Sequence, residues 1–164
     1  KAIKYTIENQ LPDGSWTYGD RNHHKWIDGF HTGYNLEILS KINKILKKDE
    51  IKNSILKGYN YYFNTFILKD GKVKYYNNSI YPLDVHSYSQ AILTILEIDR
   101  SQKEMLTKII KSLFQEMYLK KEERFIYQKN RFYQNKINYF RWTQAWAYYA
   151  LSKYNKYLIN NEQD

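Results

Sequence analysis

Two carboxylate and histidine pairs are the residues of this sequence best suited to proton transfer. Asp28 and His31 stand three positions apart, so they share one face at the start of a helix. Asp84 and His86 stand two positions apart just after Pro82, where a turn leads into a helix. A carboxylate beside a histidine orients the ring and raises its basicity, as a general base requires. We predict that His31 or His86 accepts a proton and that Asp28 and Asp84 orient these histidines; the alternative is that both aspartates serve only as helix N-caps.

Aromatic, acidic and basic residues are interleaved with these pairs. Flat aromatic faces stack on the C–H patches of sugars, while carboxylates, amides and arginines bind hydroxyl or uronate groups. We predict that Arg141 neutralises a substrate carboxylate and that Tyr81 or Tyr139 donates a proton. The predicted substrate-binding residues are Trp16, Tyr18, Asp20, Trp26, Tyr81, Arg131, Tyr139, Trp142, Gln144 and Trp146. The alternative is that the aromatic residues fill space between helices and the basic residues form a solvated face.

The composition excludes several classes of protein. The chain has 164 residues, enough for one domain with a single core. It contains no cysteine, which excludes a disulfide scaffold, thiolate catalysis and Cys-type zinc sites. None of the six glycines belongs to a phosphate-binding loop, and the adjacent His23 and His24 are poorly placed to bind one ion. We therefore predict neither a cofactor nor a metal ion.

The formal net charge of +9 predicts an anionic partner. Positive charges are scattered along lysine-rich segments, and no helix-turn-helix, zinc-finger or RNP pattern is present, so we do not expect a nucleic acid. The predicted partner is a polysaccharide or a lipid-linked glycan. No apolar run approaches the roughly 20 residues that cross a bilayer, and the N-terminus has no signal-peptide pattern. We expect no transmembrane segment and a cytoplasmic location.

The chain contains three successive repeat units. Each unit has a first helical pattern, a polar and aromatic segment, and then a second helical pattern. Gly14 and Gly71 occupy the same place in the first two units. Phe125 falls where Trp16 and Val73 stand, which gives a period of roughly 52 to 58 residues. The pattern predicts an all-α fold of three helical hairpins, with short β-hairpin-like loops at one rim.

The segment AIKYTIENQLPDGSW leads from an apolar helix to Gln10, Gly14 and Trp16. This order resembles the repeat element of the terpenoid-cyclase and protein-prenyltransferase α/α-toroid superfamily. The second unit keeps Asp70 and Gly71 but lacks the Gln and the Trp, and the third unit also lacks the Gly. The resemblance implies that the hairpins form an arc or half of an α/α toroid.

Four segments spread over nearly the whole chain carry a narrower resemblance. DGSWTYGD, KWIDGFHTGYNLEIL, YPLDVHSYSQAIL and NYFRWTQAWAYYAL are similar to the VpsJ-like family of bacterial polysaccharide-biosynthesis proteins. The resemblance implies that residues 1–159 are one toroid-type domain at the C-terminal end of a longer protein. We expect residues 160–164 to be a disordered tail. The open edges of the arc would be covered by N-terminal hairpins or by a second copy in a homodimer.

Two classes of function follow. The Asp-rich DxDD acid motif of squalene cyclases and the Cys, His and Asp zinc cluster of prenyltransferases are absent from these residues, so neither activity is expected. The first class is a carbohydrate-active protein of bacterial capsular or exopolysaccharide biosynthesis, with lyase, epimerase or hydrolase chemistry on an anionic glycan at the concave mouth of the toroid. The alternative is a non-catalytic glycan-binding or assembly component.

Overall fold

Helices make up 60% of the computed structural model, which describes residues 1–161. A short 3-10 helix (Asn22–His24) precedes the second α-helix, and a π-helical turn (Phe140–Ala145) leads directly into the last. The six α-helices of this part of the chain are α1 (Ala2–Glu8), α2 (Gly29–Leu46), α3 (Asp49–Phe66), α4 (Val85–Ile98), α5 (Lys103–Met117) and α6 (Trp146–Asn161).

Helix α4 is the centre of the molecule. Every residue from Val85 to Leu96 is buried, because α2, α5 and α6 all pack against this helix. Several of its buried polar side chains find hydrogen-bond partners inside, although the Ser87 hydroxyl and the Gln90 side-chain oxygen find none among residues 1–161. The Ser89 hydroxyl donates to the Val85 carbonyl at 2.8 Å, and the Tyr88 hydroxyl bonds that of Ser112 at 2.8 Å. Helices α2 and α6 therefore flank α4, with α3 outside α2 and α5 outside α4.

The outer helices are amphipathic and bury one face each. In α3 the buried positions recur with the helical period and are Ile51, Ser54, Ile55, Gly58, Tyr62 and Phe66. Acidic Asp49 and Glu50 occupy the first turn, where they interact favourably with the helix dipole. The inner helices are α2, α4 and α6, and this apolar face of α3 packs against α2 from outside.

Two glycine turns repeat the same backbone arrangement. In the turns after α1 and α3, the N–H of Gly14 or Gly71 donates to the carbonyl three positions earlier at 2.9 Å. Both glycines have positive φ, 100° and 85°. A Cβ would lie 2.5 Å from the Lys57 carbonyl oxygen at Gly14, and 2.3 Å from the Lys108 carbonyl oxygen at Gly71. Each turn thus lies in close contact with the backbone of the next outer helix. Only glycine, which has no Cβ, allows this short distance.

The prediction of an all-α fold forming an arc or half of an α/α toroid is wrong. Two small antiparallel sheets contribute 9% strand, and the helices of residues 1–161 do not form a clear toroid. The strands are β1 (Leu83–Asp84), β2 (Tyr118–Leu119), β3 (Arg124–Phe125), β4 (Gln128–Lys129) and β5 (Gln134–Asn135). One sheet has the order β1, β4, β5, and the other pairs β2 with β3.

Burial explains the three-stranded sheet. Leu83 and Asp84 are buried at the entrance to α4, so water cannot reach their backbone N–H and carbonyl groups. They pair instead with Lys129 and Gln128 of β4. A two-residue strand is too short to show alternation in a sequence, so the hydrophobic pattern did not indicate it.

Helix α6 extends to Asn161, so the first two residues of the predicted disordered tail are helical. Residues 162–164 of that predicted tail lie outside the described residues. No helix within residues 1–161 is both long and apolar enough to cross a membrane.

The contact between the second glycine turn and α5 predicts the effect of one added methyl group. Gly71→Ala is expected to lower the free energy of unfolding by about 2 kcal/mol or more, because alanine is strained at positive φ and its Cβ would clash with the Lys108 carbonyl. Urea unfolding measures the loss. Gly19→Ala is the control, since that Cβ meets only the His24 side chain, at 3.2 Å. Equal losses in the two variants would contradict this account of the turn.

Candidate functional site

A cavity of about 740 Å³ lies where the N-terminal ends of the inner helices converge. Such a volume is typical of ligand-binding pockets. Helix α2 contributes Phe30, His31 and Tyr34, and α4 contributes His86. The remaining lining residues come from the π-helical turn, the start of α6, strand β1 and the loops, and are Arg141, Trp142, Trp146, Asp84, Tyr18, Tyr75 and Tyr127.

Asp28 and His31 form a dyad at the edge of this cavity. Asp28 is the N-cap of α2, and its Oδ1 accepts a hydrogen bond from the backbone N–H of His31 at 2.8 Å. The same carboxylate lies 2.8 and 3.0 Å from Nδ1 of the His31 ring. Asp28 is buried, whereas the His31 side chain is 39% exposed. A carboxylate at Nδ1 holds the proton of the neutral ring there, which leaves Nε2 as the basic nitrogen.

His86 lies deeper, stacked between two aromatic rings. The ring centroids of Phe30 and Trp146 lie 4.8 and 4.5 Å from that of His86, with interplanar angles of 18° and 27°. Burial and the neighbouring His31 lower the pKa of His86 to about 4. Its imidazole is therefore neutral at neutral pH, and its Nε2 is hydrogen-bonded to the hydroxyl of Tyr34.

Tyr34 keeps its proton at neutral pH. Burial raises the pKa of its phenol well above the ordinary range, and the nearby carboxylates of Asp28, Glu37 and Asp84 raise it further. When Nε2 of His86 carries the imidazole proton, it donates to the Tyr34 oxygen, and the phenolic proton is then free to point into the cavity. Tyr34 is thus suited to act as a general acid.

Asp84 contacts the backbone of His86 rather than its ring. Oδ1 accepts from the His86 backbone N–H at 2.7 Å, and Oδ2 accepts from the Gln128 side-chain amide at 2.9 Å. The carboxylate therefore caps α4 and joins it to β4, while Tyr34 takes the ring contact that the sequence assigned to Asp84. Burial raises the pKa of Asp84 to about 6.

The π-helical turn supplies a positive charge and an aromatic face. Arg141 and Trp142 lie in this turn and line the cavity, and Trp142 is 56% exposed. Arg141 forms no ion pair with any residue of 1–161, so its guanidinium is available to an anionic ligand. A π-helical turn widens the backbone and is frequent at functional sites.

Tyr18 lines the cavity, and Trp26 packs against Tyr18. Their rings are stacked with centroids 4.5 Å apart, and Tyr18 also meets the His31 ring edge-on at 4.7 Å. Tyr18 faces the cavity, whereas Trp26 lies behind it on a separate shallow depression. Trp26 therefore supports the site from outside.

Two predicted binding residues have structural contacts instead. Trp16 is 6% exposed, donates its indole N–H to the Thr6 carbonyl at 2.7 Å and packs against Gly58. The Gln144 side chain bonds both backbone groups of Phe125, at 3.1 and 2.7 Å. Trp16 therefore joins α1 to α3, and Gln144 joins the π-helical turn to β3.

Four further predicted residues lie outside the cavity lining. Asp20 accepts a hydrogen bond from the Tyr5 hydroxyl. Arg131 lies between β4 and β5 over its neighbouring aromatic ring. Tyr81 packs against the core, and the Tyr139 ring meets that of the lining residue Tyr127 edge-on at 4.9 Å. The predicted proton donors Tyr81 and Tyr139 are thus less well placed than Tyr34.

Sequence reasoning missed Phe30 and Tyr34. Both follow the N-cap Asp28 on the face that carries His31, and Tyr34 stands three positions after this histidine. The same spacing argument that paired Asp28 with His31 would have found Tyr34. Its contact with His86, however, joins residues 52 positions apart and has no local signal.

No group of three or more histidine, cysteine, aspartate or glutamate side chains suited to a metal ion occurs within residues 1–161. The chain matches no protein-family model, no curated protein and no solved structure.

The buried carboxylate of Asp84 predicts a pH-dependent stability. Burial raises the pKa of this carboxyl group from its ordinary value of 3.8 to about 6. Between pH 3.8 and 6 the folded protein therefore keeps a proton on Asp84 that the unfolded chain has lost. Protonation of Asp84 thus contributes to the free energy of unfolding. This contribution is fully present below pH 3.8 and is lost as the pH rises through about 6. Asp84→Asn should therefore gain roughly 3 kcal/mol relative to wild type between pH 4 and 7.

Urea unfolding of both proteins across this pH range measures the change. The comparison uses the difference between variant and wild type because His86, with a lowered pKa, contributes the opposite slope in nearly the same range. A difference that stays constant with pH would show that Asp84 is not the group responsible.

Proposed function

We propose that this protein is a carbohydrate-active enzyme that removes a proton from an anionic glycan. The observation that carries the proposal is the meeting of the Asp28 and His31 dyad, the Tyr34 and His86 pair and the Arg141 guanidinium around one aromatic cavity. An acid, a base and a positive charge at one pocket are the groups that proton abstraction beside a carboxylate requires.

The cavity walls support the choice of a glycan. Tyr18, Tyr75, Tyr127, Trp142 and Trp146 offer aromatic faces to a ligand. Such faces stack on sugar rings, and their hydroxyl or indole groups remain available for hydrogen bonds. A net charge of +9 attracts anionic chains over a long range. Arg141 at the cavity then selects a carboxylate, since its guanidinium binds that group in a bidentate fork.

The chemistry follows from the protonation states. Nε2 of His31 takes the proton from the carbon next to the uronate carboxylate, while Asp28 stabilises the resulting imidazolium. The negative charge that develops on the carboxylate is neutralised by Arg141. Tyr34 donates a proton where the reaction needs one. The proposal includes a cytoplasmic site of action and a role in capsular or exopolysaccharide biosynthesis, which rests on the family resemblance given above.

Loss of the proposed base predicts a loss of turnover without a loss of binding. His31→Ala is expected to lower kcat on an acidic oligosaccharide by about a hundredfold to ten-thousandfold, while affinity measured by calorimetry stays within a few-fold. His23→Ala is the control, because His23 is exposed, belongs to the 3-10 helix and does not line the cavity. Equal turnover in His31→Ala and wild type would rule out His31 as the base.

A non-catalytic glycan-binding component is the second candidate. The high share of aromatic residues in the lining favours it, because stacking alone is enough for a binding site. In that case wild type binds acidic oligosaccharides without changing them, and His31→Ala binds equally well. Product formation by wild type separates the two functions.

Both functions predict the same effect at Trp142. Trp142→Ala should weaken glycan affinity by about tenfold, because a stacking ring contributes about 1 kcal/mol or more. Tyr148→Ala is the matched control, since Tyr148 is 76% exposed on α6 and is not part of the cavity lining. Calorimetry with an acidic oligosaccharide measures both. Unchanged affinity in Trp142→Ala would exclude this cavity as the sugar site.

A further inference from the structure

The proposed base and acid lie on one side of the cavity. His31 and Tyr34 are one turn apart on α2, with ring centroids 5.9 Å apart and planes at 88°. Asp28 contacts His31, and His86 contacts Tyr34. Because one helix face carries both proton-transfer groups, they approach a bound sugar ring from the same side.

The remaining groups of the cavity contribute differently. Arg141 and Trp142 come from the separate π-helical turn and supply a cation and an aromatic face. Tyr18, Tyr75 and Tyr127 are the other phenols of the lining, and none of them bonds an imidazole among the described residues. Tyr34 is the phenol in this lining whose proton can be replaced through a histidine. A second proton relay that would serve the opposite ring face is absent from residues 1–161.

The geometry points to a lyase that cleaves 4-linked uronates by syn-elimination, an inference that rests on the proposed function. His31 Nε2 takes the proton from C5, and the electrons of that C–H bond form the C4=C5 double bond. The C4–O4 bond breaks, its electron pair goes to O4, and O4 takes the phenolic proton of Tyr34. His31 then releases its proton to water. The Tyr34 phenolate takes the Nε2 proton of the neutral His86 ring while Nδ1 of that ring takes a proton from water, so charge and protons balance.

This arrangement restricts the substrate. A base and an acid on the same side can reach H5 and O4 together only when both lie on the same face of the sugar ring. D-mannuronate and D-glucuronate have this relation, whereas L-guluronate and L-iduronate, their C5 epimers, have H5 on the opposite face. The inferred substrate class is therefore a 4-linked D-mannuronate or D-glucuronate chain. An epimerase would need a second donor across the ring, and hydrolysis would leave no double bond.

Substrates that differ only at C5 test the inference. The intact chain is incubated with oligomannuronate, oligoguluronate, oligoglucuronate and its iduronate-containing epimer. The ultraviolet absorbance of the conjugated C4=C5 bond reports cleavage. We expect this signal from the mannuronate or glucuronate member of a pair and at least about a hundredfold less from its epimer. Tyr34→Phe should reduce the signal about a hundredfold or more while uronate affinity stays within a few-fold.

The possible outcomes separate this inference from the proposed function. Cleavage of the guluronate or iduronate member, or exchange of deuterium from heavy water into C5 with inversion and no double bond, overturns syn-elimination but keeps proton abstraction from a glycan. Binding of uronates without any product overturns the lyase and the enzyme, leaving the glycan-binding component. No binding of any of the four overturns the proposed function as well. Wild-type turnover in Tyr34→Phe removes Tyr34 as the acid.

Discussion

The burial of the N-terminal end of α4 is the constraint on which the site depends. A helix start that water cannot reach must satisfy its first N–H groups within the protein. Asp84 does this for His86, and β1 pairs the preceding backbone with β4. Desolvation of the carboxylate opposes this arrangement and raises its pKa, so the cap costs stability when it is ionised. The same burial places the His86 ring at the floor of the cavity, where it stays neutral.

The cavity results from aromatic packing between three helices. Phe30 from α2 and Trp146 from α6 enclose the His86 ring of α4, so one stack connects the inner helices at their N-terminal ends. The cavity lies between these converging helix ends, and the His31 side chain lines it. Low polarity in this space strengthens the interaction of Asp28 with His31 and that of any ligand carboxylate with Arg141.

The third unit departs from the repeat where the site needs different geometry. In each of the first two units, the first helix is followed by a glycine turn that lies against the next outer helix. After α5 the chain instead forms β2 and β3, with Glu123 in the left-handed region at φ 50°, and then the hairpin of β4 and β5. The π-helical turn that follows brings Arg141 and Trp142 to the cavity. The irregular unit thus supplies the groups that the regular units do not.

Contacts within one helical turn were accessible from the sequence alone. The spacing of Asp28 and His31 determines their hydrogen bond, because an N-cap carboxylate and the third residue after it are held together by the helix itself. The positive φ of Gly14 and Gly71 follows equally from local turn chemistry. By contrast, the contact between Tyr34 and His86, the pairing of β1 with β4 and the burial of Trp16 join distant parts of the chain. Only tertiary structure decided these, because they depend on which helix faces α4 buries and not on any neighbouring residue.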